Sequence, residues 1–225
     1  MSVFDQVPII DDPEEARCPC LLLLDVSSSM SSGGRIQELN RGIKQFAVEL
    51  GNDVLASKRV EVGIVTFGGD VAVHSEFVSA RDFRPQDLET SGLTPMGTAI
   101  LTGLDLLDGR KAAYRKNGIA YHRPWIFLIT DGGPTDADKP QWADAVARIR
   151  QGERDKKFAL FCVGVEGADF GRLREVSVRD PLQLRGLKFH ELFVWLSSSL
   201  ASVSKSNPGD EVPLQNPSGW GTAPT

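Results

Sequence analysis

Cys20-Leu21-Leu22-Leu23-Leu24-Asp25-Val26-Ser27-Ser28-Ser29 is the stretch on which the reading of the whole chain turns. Its apolar run has no alternation, which predicts a strand buried on both faces, as in the middle of a parallel sheet. The run stops at a carboxylate and three hydroxyls. In an open α/β sheet, ligands bind beyond the carboxyl ends of the strands, where the topology switches. The stretch therefore delivers hard oxygen atoms to the place where such a fold binds things.

Working outward, Ser31–Gly34 reads as a loop. The helix after it carries Ile36, Leu39, Ile43, Phe46 and Leu50 on one face. Residues 59–67 and 71–78 read as two strands around Gly68-Gly69-Asp70. Strands this close are antiparallel, so they form a hairpin at a sheet edge. Residues 79–96 form a long connection, and long ordered loops are often functional. A helix starts at Gly97. The strand Trp125–Thr130 ends at Asp131-Gly132-Gly133-Pro134-Thr135-Asp136. Then follow a helix around Trp142–Ile149, the strand Phe158–Val165, an irregular stretch 169–187 with a short last strand near Leu182–Leu187, and a helix through Leu192–Val203. Strands alternating with helices predict an α/β, doubly wound, mostly parallel sheet with helices on both faces. The expected division is an acidic lead-in at 1–17, one domain at 18–205 and a tail at 206–225. Seven of the tail's residues are Pro or Gly, which predicts no regular structure there. Trp220 is either an anchor packing back on the domain or a free hydrophobic contact.

The 225 residues suit one large α/β domain. Lys plus Arg number 25 against 30 Asp plus Glu, a net charge of −5, which argues against nucleic acid as the main partner. No apolar run approaches the roughly 20 residues of a membrane span, and no signal peptide is visible. Three cysteines are too few for a disulfide framework. A cytoplasmic location is the expectation.

Asp25, Ser27 and Ser29 fall at i, i+2 and i+4, so an extended segment projects them to one side. Thr94, in Gly92-Leu93-Thr94-Pro95-Met96-Gly97, precedes a helix, and Asp131 ends a strand that a parallel sheet can set beside the first. Two carboxylates and three hydroxyls form an all-oxygen set suited to Mg²⁺ or Mn²⁺, with Ca²⁺ as an alternative. Hydroxyls neutralise nothing. If one Asp touches the metal directly, a divalent ion keeps about one positive charge and an open position, a receptor for a carboxylate from another molecule.

Asp-x-Ser-x-Ser, the distant Gly-x-Thr-Pro-x-Gly and Thr-Asp-Gly-x-Pro-Thr-Asp together resemble the metal-ion-dependent adhesion site of von Willebrand factor A domains. The resemblance covers about residues 18–205. The segments 22–27, 92–97 and 128–136, with the tail from Trp195 to Trp220, look most like the bacterial tellurium-resistance TerY-type branch. The resemblance implies a six-stranded sheet in the order 3-2-1-4-5-6 with Mg²⁺ at its top. Ser27, Ser29 and Thr94 would ligate the metal, Asp25 and Asp131 would act directly or through water, and a partner's Asp or Glu would complete the shell. It also implies a stress-response setting, tellurium or metal resistance or phage-related, alongside protein kinases or PP2C-like phosphatases. One departure is Ser28, at a position often occupied by Gly; a positive φ there would be strained.

These residues favour a non-enzymatic, metal-dependent protein–protein interaction module. Two alternatives differ in class. A metal-dependent phosphohydrolase would use the same oxygen set, yet there is no Gly-x-x-x-x-Gly-Lys loop, no Gly-x-Ser-x-Gly elbow and no His or Lys tied to the cluster. A scaffold with an incidental metal would bind through the tail or the basic run Arg110, Lys111, Arg115, Lys116, His122 and Arg123, which could take phosphate or an acidic protein but reads rather as a solvated helix end. Cys18 and Cys20 read as strand packing, His74, His122 and His190 as surface or packing residues, and Thr135 and Asp136 as a cap for the next helix or a support for the loop.

Overall fold

A computed structural model of the chain describes residues 15–210, 212–214 and 216–222. Of the predicted acidic lead-in, residues 1–14 lie outside that range. One sheet holds seven strands in the order β3-β2-β1-β4-β5-β6-β7. At its centre β1 (Cys18–Asp25) pairs in parallel with β2 (Val60–Gly68) on one side and β4 (Trp125–Thr130) on the other. Every residue of β1 is buried. Cys20, Leu22 and Leu24 face one core and Leu21 and Leu23 the other, so the unbroken apolar run reflects two cores sharing one strand.

The first core lies under α1 (Arg35–Asn52) and α6 (Phe189–Ser204), and the second under α3 (Met96–Lys116), α4 (Pro140–Arg154) and α5 (Phe170–Val176). A further single turn, α2 (Ala56–Arg59), precedes β2; four residues carry too little periodicity to be seen in sequence. The hairpin partner β3 (Asp70–Ser79) is antiparallel and forms one edge, with Asp70, His74 and Glu76 on it. On the far side β5 (Ala159–Gly164) pairs with the short β6 (Leu182–Leu184).

The doubly wound fold stands as expected, with one correction at the far edge. The tail adds β7 (Gly221–Thr222), antiparallel to β6, so the sheet has seven strands and two antiparallel edges. Pro and Gly content hid it because the strand is two residues long and held from outside. Trp220 is buried and packs on Trp195 with ring centroids 5.3 Å apart, and its carbonyl accepts from Arg185 N–H at 2.8 Å. It is the anchor of the two alternatives. The long connection 79–96 is irregular, and Phe83 and Leu88 are its buried pins. Asn40 holds Leu88 through both its main-chain groups.

In the basic run Arg115 and Lys116 are exposed, as expected of a solvated helix end, and Arg110 and Lys111 are the second correction. Arg110 is not solvated. It makes two bonds to buried Glu61, at 2.6 and 2.7 Å, and Arg17 and Tyr114 complete that cluster. Lys111 is buried as well. The three cysteines are free and buried, and burial pushes the Cys18 and Cys162 thiols up to about 12, as expected for packing residues. Among the described residues no helix is long and apolar enough to cross a membrane.

Candidate metal centre

Three chain segments meet at the carboxyl end of β1, and main-chain bonds lock them before any side chain is considered. Ser91 N–H donates to the Val26 carbonyl at 2.8 Å, Ser28 N–H to Gly92 at 3.0 Å, and Gly69 N–H to Leu93 at 2.9 Å. The loop 91–95 is thus stitched both to the chain after β1 and to the β2–β3 turn. The fit requires Gly92. Its φ is +59°, and a Cβ there would stand 2.3 Å from Gly69 Cα. On the other side Thr135 N–H donates to the Thr94 carbonyl at 2.9 Å, tying the segment after β4 to the same loop.

On this frame the predicted oxygens come together. Asp25 Oδ1 accepts from Ser27 N–H at 2.8 Å, and Asp25 Oδ2 from the Thr130 hydroxyl at 2.5 Å. The Ser27 and Ser29 hydroxyls lie 2.9 Å apart, and Ser29 donates to Asp131 Oδ1 at 2.6 Å. Thr94 is buried beside them, its Oγ1 3.7 Å from where a Cβ on Gly132 would sit. The chain curls after Asp25 through 3₁₀ turns within Ser28–Gly34, broken by a kink at Ser32 and Gly33, and this curl sets Ser27 and Ser29 on one side. Asp25, Ser27, Thr94 and Asp131 are buried while Ser29 is exposed, so the cluster opens to solvent past Ser29.

Two functional neighbours escaped sequence reading. Arg35, the first residue of α1, donates to Asp131 Oδ2 at 2.7 Å. It is the only cation between Asp25 and Asn40, a signal present in the sequence. Thr130 is the second; a hydroxyl ending an apolar buried strand needs a partner, and Asp25 is it. Asp136 accepts from Gly97 N–H at 3.0 Å, Thr98 N–H at 2.9 Å and the Thr98 hydroxyl at 3.0 Å. It caps the start of α3, which precedes it in sequence, and not the helix that follows it. Ser28 is exposed and unstrained: among the described residues Lys156 is the only non-glycine with positive φ.

Burial pushes the Asp25 carboxyl above its usual pKa; the Thr130 and Ser27 hydrogen bonds pull it back, and the nearby Asp131 charge adds to the rise. The donor chemistry fits a small hard cation. Mg²⁺ holds oxygens at 2.0–2.1 Å, so neighbouring octahedral ligands stand roughly 2.9 Å apart, the separation of the Ser27 and Ser29 hydroxyls. Among the described residues no three His, Cys, Asp or Glu side chains converge as a metal group, so hydroxyls dominate the set. Two carboxylates less the Arg35 charge leave the cluster about one negative charge against a divalent ion. Among the described residues, the side-chain hydrogen bonds of the cluster run to hydroxyls, main-chain groups and Arg35, and none reaches a His or Lys. At the rim Leu93 is 67% exposed, an apolar side chain next to Thr94.

Comparison with known proteins bears on the fold and the family. A search of curated protein sequences finds no match. Among solved structures, the chain is similar to a von Willebrand factor type A protein from Catenulispora acidiphila, with TM-score 0.61, 16% identity, and coverage of 83% of this chain and 43% of that one. It is similar to proximal thread matrix protein 1 from the mussel byssus with a zinc-occupied MIDAS motif, with TM-score 0.53, 15% identity, and coverage of 83% and 48%. Manganese-loaded Plasmodium vivax TRAP protein gives TM-score 0.56 and 14% identity, with coverage of 80% and 73%. The chain spans less than half the length of the mussel and C. acidiphila proteins. Identities this low carry the fold alone. The family profile described as von Willebrand factor type A domain matches residues 21–182, well over half the chain. The chain belongs to the von Willebrand factor type A domain family.

Proposed function

We propose that Asp25, Ser27, Ser29, Thr94 and Asp131 hold one divalent cation, Mg²⁺ in the cell, and that the cation takes a carboxylate from a partner protein. The observation that carries this reading is the pair of hydroxyls 2.9 Å apart between two buried carboxylates, one of them already paired with a guanidinium. Such a set binds a hard cation without quenching its charge. What the bound cation supplies is a positive, exchangeable coordination position. This chain's own residues do the rest. Thr130 and Ser27 N–H orient Asp25, Arg35 holds Asp131, and the stitched loop fixes Thr94. Exposed Leu93 gives the partner an apolar contact beside the acid. Among the described residues no His or Lys is bonded to the cluster, which supports a binding role over catalysis. Two structural relatives named for metal, the mussel protein with a zinc-occupied MIDAS motif and manganese-loaded TRAP, support metal binding.

The finer reading rests on the three motif segments and the tail that resemble TerY-type chains. It makes residues 18–205 a cytoplasmic module in a bacterial tellurium, metal-stress or phage-defence system, with a kinase or PP2C-like phosphatase as the partner. Coupling to α6 has a route, since α1 begins at Arg35 and packs on α6 through Phe46 and Phe193. Proton relaxation of water around added Mn²⁺ tests the proposal. Mn²⁺ bound to the chain keeps exchangeable water; glutarate displaces it and glutaramide does not. Equal effects of acid and amide would remove the carboxylate from the account.

A further inference from the structure

The opposite end of the sheet holds a solvent-open cavity of about 1160 Å³. Its walls come from the last turns of α3, the 121–125 segment, the turn before β5, Arg179 and the tail at 209–210 and 212–214. Among the described residues six Lys and Arg side chains line it against two aspartates, on a chain whose net charge is −5. Four of the six are paired. Lys111 bonds Asp108, Lys157 bonds Asp155, and Arg123 and Arg179 share the buried Glu153. Arg115 and Lys156 are exposed and have no ion pair among the described residues; Arg115 reaches only the Tyr121 hydroxyl, at 3.5 Å. Lys156 also holds φ at 54°. Gly or Asn would make that turn with less strain, so turn geometry does not explain a lysine there.

His122 is a separate observation. It lines the cavity, it is 4% exposed, and its Nε2 is buried with no hydrogen-bond partner. Burial first, and then the charge of Arg59, hold its pKa below the usual value, so at neutral pH the imidazole is uncharged. A buried polar atom without a partner is a cost that a ligand can relieve. The remaining lining is mostly apolar; it includes the buried Trp125 and also Phe161, whose ring stacks on Phe127 and carries the Arg179 guanidinium 5.2 Å from its centroid.

We propose that this cavity binds an organic phosphate of nucleotide size, its phosphates on Arg115, Lys156 and His122 and its flat body beside Trp125 and against the Arg179 guanidinium that covers Phe161. The cations converge from separate segments, as a compact polyanion requires; an extended acidic peptide would need them in a line. The volume is ample for a drug-sized ligand, whose pockets span roughly 300–1,000 Å³.

Isothermal titration calorimetry in EDTA, which takes the metal centre out of the measurement, tests this with ADP, pyrophosphate and adenosine. ADP binds once per chain and more tightly than pyrophosphate, and adenosine gives no heat. Arg115→Ala/Lys156→Ala, both at exposed positions, weakens ADP about tenfold or more, while Asp25→Ala at the other end leaves it unchanged. No ADP binding to the wild-type chain, or binding that survives the double substitution, overturns the proposal. Pyrophosphate binding as tightly as ADP overturns the part given to the flat body of the ligand. An oligoglutamate peptide that binds where ADP does not would make the cavity a protein-docking surface instead.

Discussion

The two ends of the sheet solve the burial of polar groups in opposite ways. At the carboxyl end of β1 the loops are held by main-chain bonds, and the polar side chains bond mainly to one another and to Arg35. At the other end, ions hold the structure. Glu61 is buried with Arg110, Arg17 and Tyr114, and Glu153 with Arg123 and Arg179. The lesson concerns which groups are spare. Where the backbone does the fastening, hydroxyls and a carboxylate are free to meet a ligand. Where ion pairs do it, removing one partner strands the rest.

The largest expected effect therefore lies far from the metal centre. Glu61→Ala leaves Arg110 and Arg17 without their buried acid, and urea unfolding should register a loss of about 3–5 kcal/mol. The same variant should bind Mn²⁺ as the wild type does. Loss of metal binding at unchanged fold would break the separation of the two ends.

Gly92→Ala attacks the frame of the oxygen cluster. The added Cβ meets Gly69 Cα at 2.3 Å and sits at φ +59°, so stability falls by about 1–3 kcal/mol, and cation affinity falls with it because Thr94 and Ser28 shift together. Denaturation and Mn²⁺ titration on the same sample check both halves.

Asp25→Asn should move the other way. A carboxyl whose folded pKa is raised contributes most stability at low pH and loses it as pH rises through the folded value. With metal chelated, the Asn variant should melt higher than the wild type at pH 7, about 2–4 °C for each kcal/mol gained, and the difference should shrink toward pH 4. A lower melting temperature at pH 7 would mean that the carboxylate holds the fold, as the ions at the other end do.

The smallest effect is at Arg35. Arg35→Gln removes a positive charge beside the cluster and releases Asp131 Oδ2, so Mn²⁺ should bind about three- to tenfold more tightly, while glutarate binds the loaded site more weakly. Weakening of both would make Arg35 a structural residue only.

Much of this was legible in the sequence, and unevenly so. The long elements were, because an unbroken run such as Leu21–Leu24 and a helical face such as Ile36–Leu50 each fill many positions with one pattern. The cluster's members were readable because each sits at a strand end or in a Gly- and Pro-marked turn. What escaped depended on distance in sequence. Arg35 reaches Asp131 across 96 positions, Thr130 reaches Asp25 across 105, and Arg110 reaches Glu61 across 49. Arg110, inside a charge run, looks solvated until its acid is found on another strand. The two residues of β7 are fixed by Trp220 seated against Trp195, which no local pattern announces.

Calorimetric titration of Mn²⁺ or Mg²⁺ into the wild-type chain and into Asp25→Ala tests the central claim most directly. The account predicts one cation per folded wild-type chain and none for the variant, with circular dichroism unchanged between them. A wild-type chain that takes up no cation, or an Asp25→Ala chain that binds it equally well, would contradict it.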